Sequence, residues 1–154
     1  MKTKALGLIL AFCFLAGAAC FAADPQIGSW KLNEAKSKLT RGVPRNTVVV
    51  YETVGDQVKV TVEGTDAKGK PTRNEWTGRF DGKDYPVTGD PTSDVRSYKR
   101  VNSRTLQFTA RKNRNVVVTG RVVVSADGKS RTVTVSGTTP KGKEFKNTAV
   151  YDKQ

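Results

Sequence analysis

The sequence predicts an all-β protein, a single antiparallel, mostly up-and-down β-barrel of eight to ten strands preceded by a signal peptide. Three observations predict it. Runs rich in Val, Thr and aromatic residues alternate with polar ones at period two, the pattern of strands with one buried and one wet face. The joints between runs are mostly short, and a parallel crossover needs about a dozen residues, so successive strands must lie side by side. Only Leu32 to Thr40 carries a helix signal, with Asn33 placed to cap Glu34-Ala35-Lys36-Ser37-Lys38 for one or two turns. With no helix to cover a sheet, the strands must bury one another, as a closed barrel or as two stacked sheets. The meander favours the barrel, because Greek-key sandwiches need longer connections and only Asn33 to Asn46 qualifies.

Lys2 and Lys4 precede an apolar run from Ala5 to Ala19, followed by small residues up to Ala23, the layout of a secretory signal peptide over residues 1–22. Cleavage after Ala22 places Cys20 three residues before the cut, whereas cleavage after Ala23 would place bulky Phe21 there. An exported protein, periplasmic or secreted, is therefore expected, with residues 23–154 as one domain. Gly17-Ala18-Ala19-Cys20 partly matches a lipobox and gives lipid anchoring through Cys20 as the less favoured alternative. Both cysteines, Cys13 and Cys20, lie in this leader, so the processed chain has no disulfide and must rely on its core.

Ten strands are read from the remaining chain: Ile27 to Leu32, Thr47 to Val54, Gln57 to Gly64, Thr72 to Phe80, Tyr85 to Thr88, Asp94 to Val101, Arg104 to Lys112, Asn115 to Ala126, Arg131 to Thr139 and Glu144 to Asp152. The clearest hairpin joins the eighth and ninth, where two β-branched arms flank Asp127-Gly128-Lys129 and Asp-Gly supplies the positive φ angles of a tight turn. Closure is expected between the Trp30 strand and the strand ending at Tyr151.

Alternation assigns the inner face. Val58, Val60 and Val62 point in, as do Leu106, Phe108 and Ala110. By the same rule Trp76 and Phe80 share a face with Asn74, Val95 and Val101 with Ser97 and Lys99, and Phe145 and Tyr151 with Asn147. Eight strands already leave room for one small ligand, so ten lined by small residues should leave a cavity. Trp76, Phe80, Tyr85, Phe108, Phe145 and Tyr151 are its expected apolar walls, and Asn74, Ser97, Lys99 and Asn147 read either as edge or mouth positions open to water or as polar contacts for a ligand. An inward Lys99 calls for a carboxylate-bearing ligand or a place at the mouth where it reaches water. A carrier of this kind needs a pocket of roughly 300 Å³ or more.

Gly28-Ser29-Trp30 at the opening of the first strand resembles the Gly-x-Trp signature of the calycins, the lipocalins and fatty-acid-binding proteins. With Gly28 to Lys38 (GSWKLNEAKSK), Asp81 to Pro91 (DGKDYPVTGDP) and Val150-Tyr151-Asp152-Lys153, the chain resembles small exported bacterial lipocalin-like proteins over Gly28 to Gln154. The resemblance implies a barrel holding a small apolar ligand, with Gly28 and Trp30 at its closure. It also implies a basic residue from the last strand over Trp30, for which this chain offers Lys146 and Lys153.

The full sequence carries a formal charge of +13, and without Lys2 and Lys4 twenty-five cations face fourteen acids, leaving +11. Such a charge favours anionic partners. Export and the lack of an RNA-binding aromatic motif argue against nucleic acid. An envelope-interaction module is the alternative function, with Arg73, Arg79, Arg96, Arg100, Arg111 and Arg121 on a basic outer face holding anionic lipid or polysaccharide. Histidine is absent and the processed chain lacks cysteine, which removes the commonest general base and most zinc or haem ligand sets. No Gly-x-Ser-x-Gly elbow occurs. Asp81, Asp84, Asp90 and Asp94 sit beside turn residues, where aspartate caps backbone amides, and read as turn formers rather than calcium ligands. No catalytic residue, metal or cofactor is expected. The leading expectation is a non-catalytic protein holding a small apolar or amphipathic ligand, an anionic one included, inside the barrel.

Overall fold

The computed structural model describes residues 23–154, so the leader and both cysteines lie outside the described residues. Ten strands follow one another: β1 (Gly28–Lys38), β2 (Arg45–Val54), β3 (Gln57–Thr65), β4 (Pro71–Gly78), β5 (Tyr85–Thr88), β6 (Val95–Asn102), β7 (Thr105–Lys112), β8 (Asn115–Val124), β9 (Ser130–Thr138) and β10 (Glu144–Lys153). Each pairs antiparallel with its chain neighbours, and β1 pairs with β10 to close the barrel. In that closure Trp30 stands opposite Lys153 and Leu32 opposite Tyr151. Two stacked sheets are thereby excluded.

Strand parity builds the core. Trp30, Val49, Tyr51, Val60, Val62, Trp76, Tyr98, Leu106, Val122, Val124, Ala149 and Tyr151 are buried together on the inner face. Glycines make space where large rings point inward. Phe108 is paired with Gly120, and a Cβ there would strike the Phe108 ring and lie 2.8 Å from the Thr134 carbonyl oxygen. Gly137 stands opposite Phe145 in the same way. Such glycine positions let a sheet curve into a barrel while an aromatic ring fills the vacated space.

Two expectations are corrected. The segment from Asn33 to Lys38 is not helical but a long irregular stretch of β1, in which Asn33 and Lys38 on β1 span only Val150 to Thr148 on β10. The local capping bond does form, with Lys36 N–H donating to Asn33 Oδ1 at 3.1 Å. Ser37 Oγ, however, accepts from Val150 N–H at 2.8 Å and donates to the Asn33 carbonyl at 2.7 Å. These bonds hold the bulged segment against β10, where a free helical turn would leave the strand edge unpaired.

The second correction is the facing of β6. A simple two-residue turn after Asn102 would set Val101 opposite Leu106 and turn Val95, Ser97, Lys99 and Val101 inward. A bulge between Arg100 and Asn102 instead sets Arg100 opposite Leu106, Tyr98 opposite Phe108 and Arg96 opposite Ala110. One extra residue flips every side chain behind it. Arg96, Tyr98 and Arg100 therefore share the inner face, while Lys99 is exposed on the outside beside Gly82. Ser97 is buried but lies on the outer-facing set.

Candidate functional site

The barrel has a filled end and an open end. At the filled end Trp30 is fully buried and its Nε1–H donates to the Gln26 carbonyl at 3.0 Å. Gly28, at φ +128, lies against the Lys153 side chain, whose Nζ stands 5.1 Å from the centre of the Trp30 ring. Lys146 is exposed and does not take that role. On the inner side the cation over Trp30 is Arg131, which comes from β9 rather than the last strand. Its guanidinium carbon lies 4.8 Å from the centres of both the Trp30 and Tyr51 rings and 5.1 Å from that of Tyr151. Three aromatic faces thus surround one charge, an arrangement attractive to a desolvated cation.

Arg131 is only 2% exposed, and its Nε and Nη1 have no hydrogen-bond acceptor among the described residues. No carboxylate forms an ion pair with it among the described residues. A buried guanidinium without acceptors is costly, since each unmet donor forfeits its hydration.

Above Arg131 lies a cavity of about 210 Å³ that reaches the open end. Its wall includes Tyr51, Tyr98, Phe108, Phe145 and Tyr151, with Arg96, Asn74 and Asn147 as polar members and Asp90, Thr92 and Ser93 nearer the mouth. Burial pushes the Tyr151 hydroxyl up to about 12 even though Arg131 acts in the opposite sense. Tyr51 is pushed up further, first by burial and then by neighbouring Tyr98. Both remain neutral hydrogen-bonding groups near neutral pH. The Tyr151 hydroxyl donates to the Asn46 carbonyl at 3.0 Å.

Arg96 is matched where Arg131 is not. Its Nη2 donates to Asp90 Oδ2 at 3.3 Å and to Asn74 Oδ1 at 3.4 Å. Burial works against both charges. Asp90 nevertheless stays below the ordinary carboxylate range, because the Ser93 and Thr92 hydroxyls and the Thr92 N–H donate to it and Arg96 is adjacent. Burial likewise opposes the Arg96 charge, but Tyr98 and Asp90 hold that guanidinium above its ordinary value.

The expected site residues divide into groups. Phe108, Phe145, Tyr151, Asn74 and Asn147 meet around the cavity. Trp76, Phe80 and Tyr85 form a separate aromatic plug instead, with Trp76 stacked on Phe80 at 6.3 Å and edge-on to Tyr85 at 5.7 Å and to Tyr98 at 4.7 Å. Trp76 Nε1–H is spent on the Arg96 carbonyl at 2.8 Å, and the Arg100 guanidinium lies over Phe80. Ser97 and Lys99 do not line the cavity, for the parity reason given above. Asn147 Oδ1 accepts from Thr40 N–H at 2.7 Å, which ties the β1–β2 joint to the cavity wall.

Sequence reasoning missed Arg131, Arg96, Tyr51 and Tyr98. For Arg131 the signal was present: Val133 and Val135 face inward, and Arg131 has the same parity on β9. Asp81, Asp90 and Asp94 do cap backbone amides, those of Lys83, Thr92 and Asn113. Asp84 instead accepts from Arg111 at 2.6 Å. Two wider hollows, about 600 and 510 Å³, are furrows on the outside of the barrel that share Thr119, Ser136 and Lys146.

No protein-family model matches the chain, and no curated protein matches it. Among solved structures it is similar to a redesigned β-barrel, mFAP1, bound to DFHBI, with a TM-score of 0.45 and 15% identity over 86% of this chain and 98% of that one. It is also similar to EF1p2_mFAP2b bound to DFHBI, with a TM-score of 0.48 and 11% identity over 86% of this chain and 97% of that one. A third, the redesigned barrel b11L5F_LGL, gives a TM-score of 0.45 and 15% identity over 88% of this chain and 97% of that one.

Proposed function

We propose that the protein is an exported, non-catalytic, calycin-like binding protein whose barrel holds one small monoanion with a compact apolar body. The observation that carries this reading is Arg131, buried on the cavity wall with Nε and Nη1 lacking acceptors. An anion in the cavity would supply the missing charge, and a turn of the guanidinium toward the cavity it lines would bring its donors onto a carboxylate, in charge-assisted bonds of the stronger class. Pairing sets the valence. Arg96 is met by Asp90, and the other lining carboxylate, Asp66 at the mouth, accepts the Lys68 and Lys70 N–H groups. Arg131 is left as the one cavity charge without a counter-ion among the described residues.

Size sets the rest of the class. A cavity of about 210 Å³ holds about seven waters at roughly 30 Å³ each. It falls below the roughly 300 Å³ expected of a carrier from the sequence, and a hollow of about 100 Å³ shares Pro44, Asn46 and Asn147 with it. The size favours a short aliphatic or single-ring acid over a long acyl chain. Phe108, Phe145 and Tyr151 supply walls for its body, and Asn74 and Asn147 supply polar contacts nearer the mouth. Residues 23–154 hold neither histidine nor cysteine, and the cavity carboxylate Asp90 is engaged by Arg96, Thr92 and Ser93, so the site offers a cation and hydrogen-bond donors rather than a poised general base.

Native mass spectrometry of protein purified from its own host, followed by calorimetry with short aliphatic and aromatic carboxylates, tests the reading. A small anionic adduct is expected, and the Arg131→Met variant should bind it about 10–150-fold more weakly, the range for losing a charged hydrogen bond of roughly 1.5–3 kcal/mol. Binding of neutral analogues as tightly as acids, or an unaltered affinity in the variant, overturns it. The same mass spectra locate the N-terminus: a free end near Ala23 supports export as a processed protein, and a diacylglyceryl group on Cys20 supports the anchored alternative.

A further inference from the structure

Five joints gather at the open end: 39–44, 66–70, 89–94, 113–114 and 139–143. Four of them carry six exposed cations, Arg41, Lys68, Lys70, Arg114, Lys141 and Lys143. None of the six forms an ion pair among the described residues. The outer-wall arginines behave differently: Arg73 is held by Glu63 and Glu75, Arg79 by Asp56 and Arg111 by Asp84. Arg96 and Arg100 belong to the interior set. Of the six arginines expected on a basic outer face, only Arg121 stands outward without an ion pair among the described residues. Lysines such as Lys31, Lys99 and Lys146 are scattered over the wall, whereas the six unpaired cations of the mouth sit together on neighbouring joints.

Two carboxylates at the mouth offset part of this charge, Asp66 beside Lys68 and Lys70 and exposed Glu144 beside Lys143, so six cations against two acids leave a surplus of four positive charges. Asp90 is tied to Arg96, and Asp94 to Lys112 and Asn113. The β7–β8 turn supplies a second observation. Asn113 and Arg114 adopt φ of +48° and +68°, the left-handed conformation that glycine takes at least cost. The two-residue hairpin requires positive φ at both positions, and the turn points an exposed arginine out at the mouth. Val116, 54% exposed, lies two residues on, and Pro71, Pro91 and Pro140 are exposed on or beside neighbouring joints.

We propose that the mouth of the barrel docks on an anionic phospholipid bilayer, with the cations among the headgroups and the cavity facing the membrane. A bilayer fits better than a polysaccharide chain. Mobile headgroups can meet cations on four separate joints at once, and the interleaved Val and Pro have an apolar boundary to approach. The proposal does not depend on what fills the cavity, so its failure leaves the small-anion reading untouched.

The test is co-sedimentation of the purified, ligand-free protein with phosphatidylcholine vesicles, with and without phosphatidylglycerol, at low and at physiological salt. Association is expected only with the anionic vesicles and should weaken as salt rises. Each cation near such a surface is worth about fivefold in affinity, so Lys141→Gln with Lys143→Gln should cost about 25-fold. Lys31→Gln with Arg121→Gln changes net charge equally on the outer wall, at exposed unpaired positions, and should cost less than about threefold. Equal losses in the two double variants would show that binding follows net charge and overturn the proposal. So would absence of association at low salt, or retention on lipopolysaccharide or an acidic polysaccharide without vesicle binding.

Discussion

Arg131→Met should stabilise the ligand-free barrel while weakening its response to small anions. The magnitude follows from the surroundings of Arg131. In favour of the arginine are contacts with Trp30, Tyr51 and Tyr151 at 4.8 to 5.1 Å. A desolvated cation–π contact is worth about 2 kcal/mol, and one charge divided among three rings gains less than three times that. Against it stands a penalty of several kcal/mol for a buried ion. That penalty keeps its size here because Nε and Nη1 find no acceptor. Methionine keeps a similar length, fills irregular space and makes favourable sulfur–aromatic contacts. The balance favours the variant by about 1–3 kcal/mol, within the range seen when buried ionic groups are replaced by apolar ones. For a domain of this length each kcal/mol moves Tm by about 4 °C.

Urea unfolding followed by the fluorescence of the two buried tryptophans, Trp30 and Trp76, reads the change directly. Protein refolded and dialysed free of small anions should show the variant more stable than the parent. Adding a short carboxylate at about 100 times the parent's dissociation constant should then raise the parent by about 2.7 kcal/mol and the variant, which binds about 10–150-fold more weakly, by only about 0.3–1.4 kcal/mol. A variant less stable than the anion-free parent by more than about 1 kcal/mol would mean that the aromatic cage alone satisfies the charge, and the reasoning from unmet donors would be refuted.

Three further outcomes are expected. Gly120→Ala should cost about 1–3 kcal/mol in urea unfolding, because its Cβ meets the Phe108 ring and the Thr134 carbonyl; a neutral result would mean that the wall yields where the packing says it cannot. Arg114→Gly should stabilise by about 1 kcal/mol by relieving the left-handed conformation, while weakening any vesicle binding, and a loss of stability would contradict the turn geometry. Asp90 is held below its ordinary value of 3.8, so its contribution is full above that pH and lost as pH falls through the lower folded value. Urea midpoints measured from pH 6 to pH 2.5 should accordingly fall less in Asp90→Asn than in the parent, and parallel curves would remove Asp90 from the account.

The fold was legible because it depends on repetition. Ten runs at period two, short joints and no covering helix leave few arrangements, and the strand bounds follow the pattern to within a few residues except where β1 runs on to Lys38. Closure through Trp30 and Tyr151 was legible for the same reason: β1 and β10 were the strands without two chain neighbours. A bulge has no comparable signature. Val101 adds one residue to β6, and nothing in Arg-Ser-Tyr-Lys-Arg-Val distinguishes an inserted position from a paired one. The cost of missing it was the whole facing of the strand, with Lys99 placed in the interior and Tyr98 outside.

Charge misled the reading of the site in a second way. Arginine on a strand was assigned to the wet face because a buried cation is expensive, yet the two cavity arginines are the ones whose placement has chemical content. Arg96 can be inside because Asp90, with three hydrogen-bond donors of its own, is there to meet it. For Arg131 aromatic faces soften the penalty without removing it, and its donors stay unmet. Parity from Val133 and Val135 pointed to that position, and hydrophobicity overruled parity. Strand geometry is the stricter constraint: a side chain two residues from an inward valine, in a regular part of the ladder, must face inward whatever its charge. The charge then has to be met by something, and where no partner comes from the chain itself the position points to a ligand.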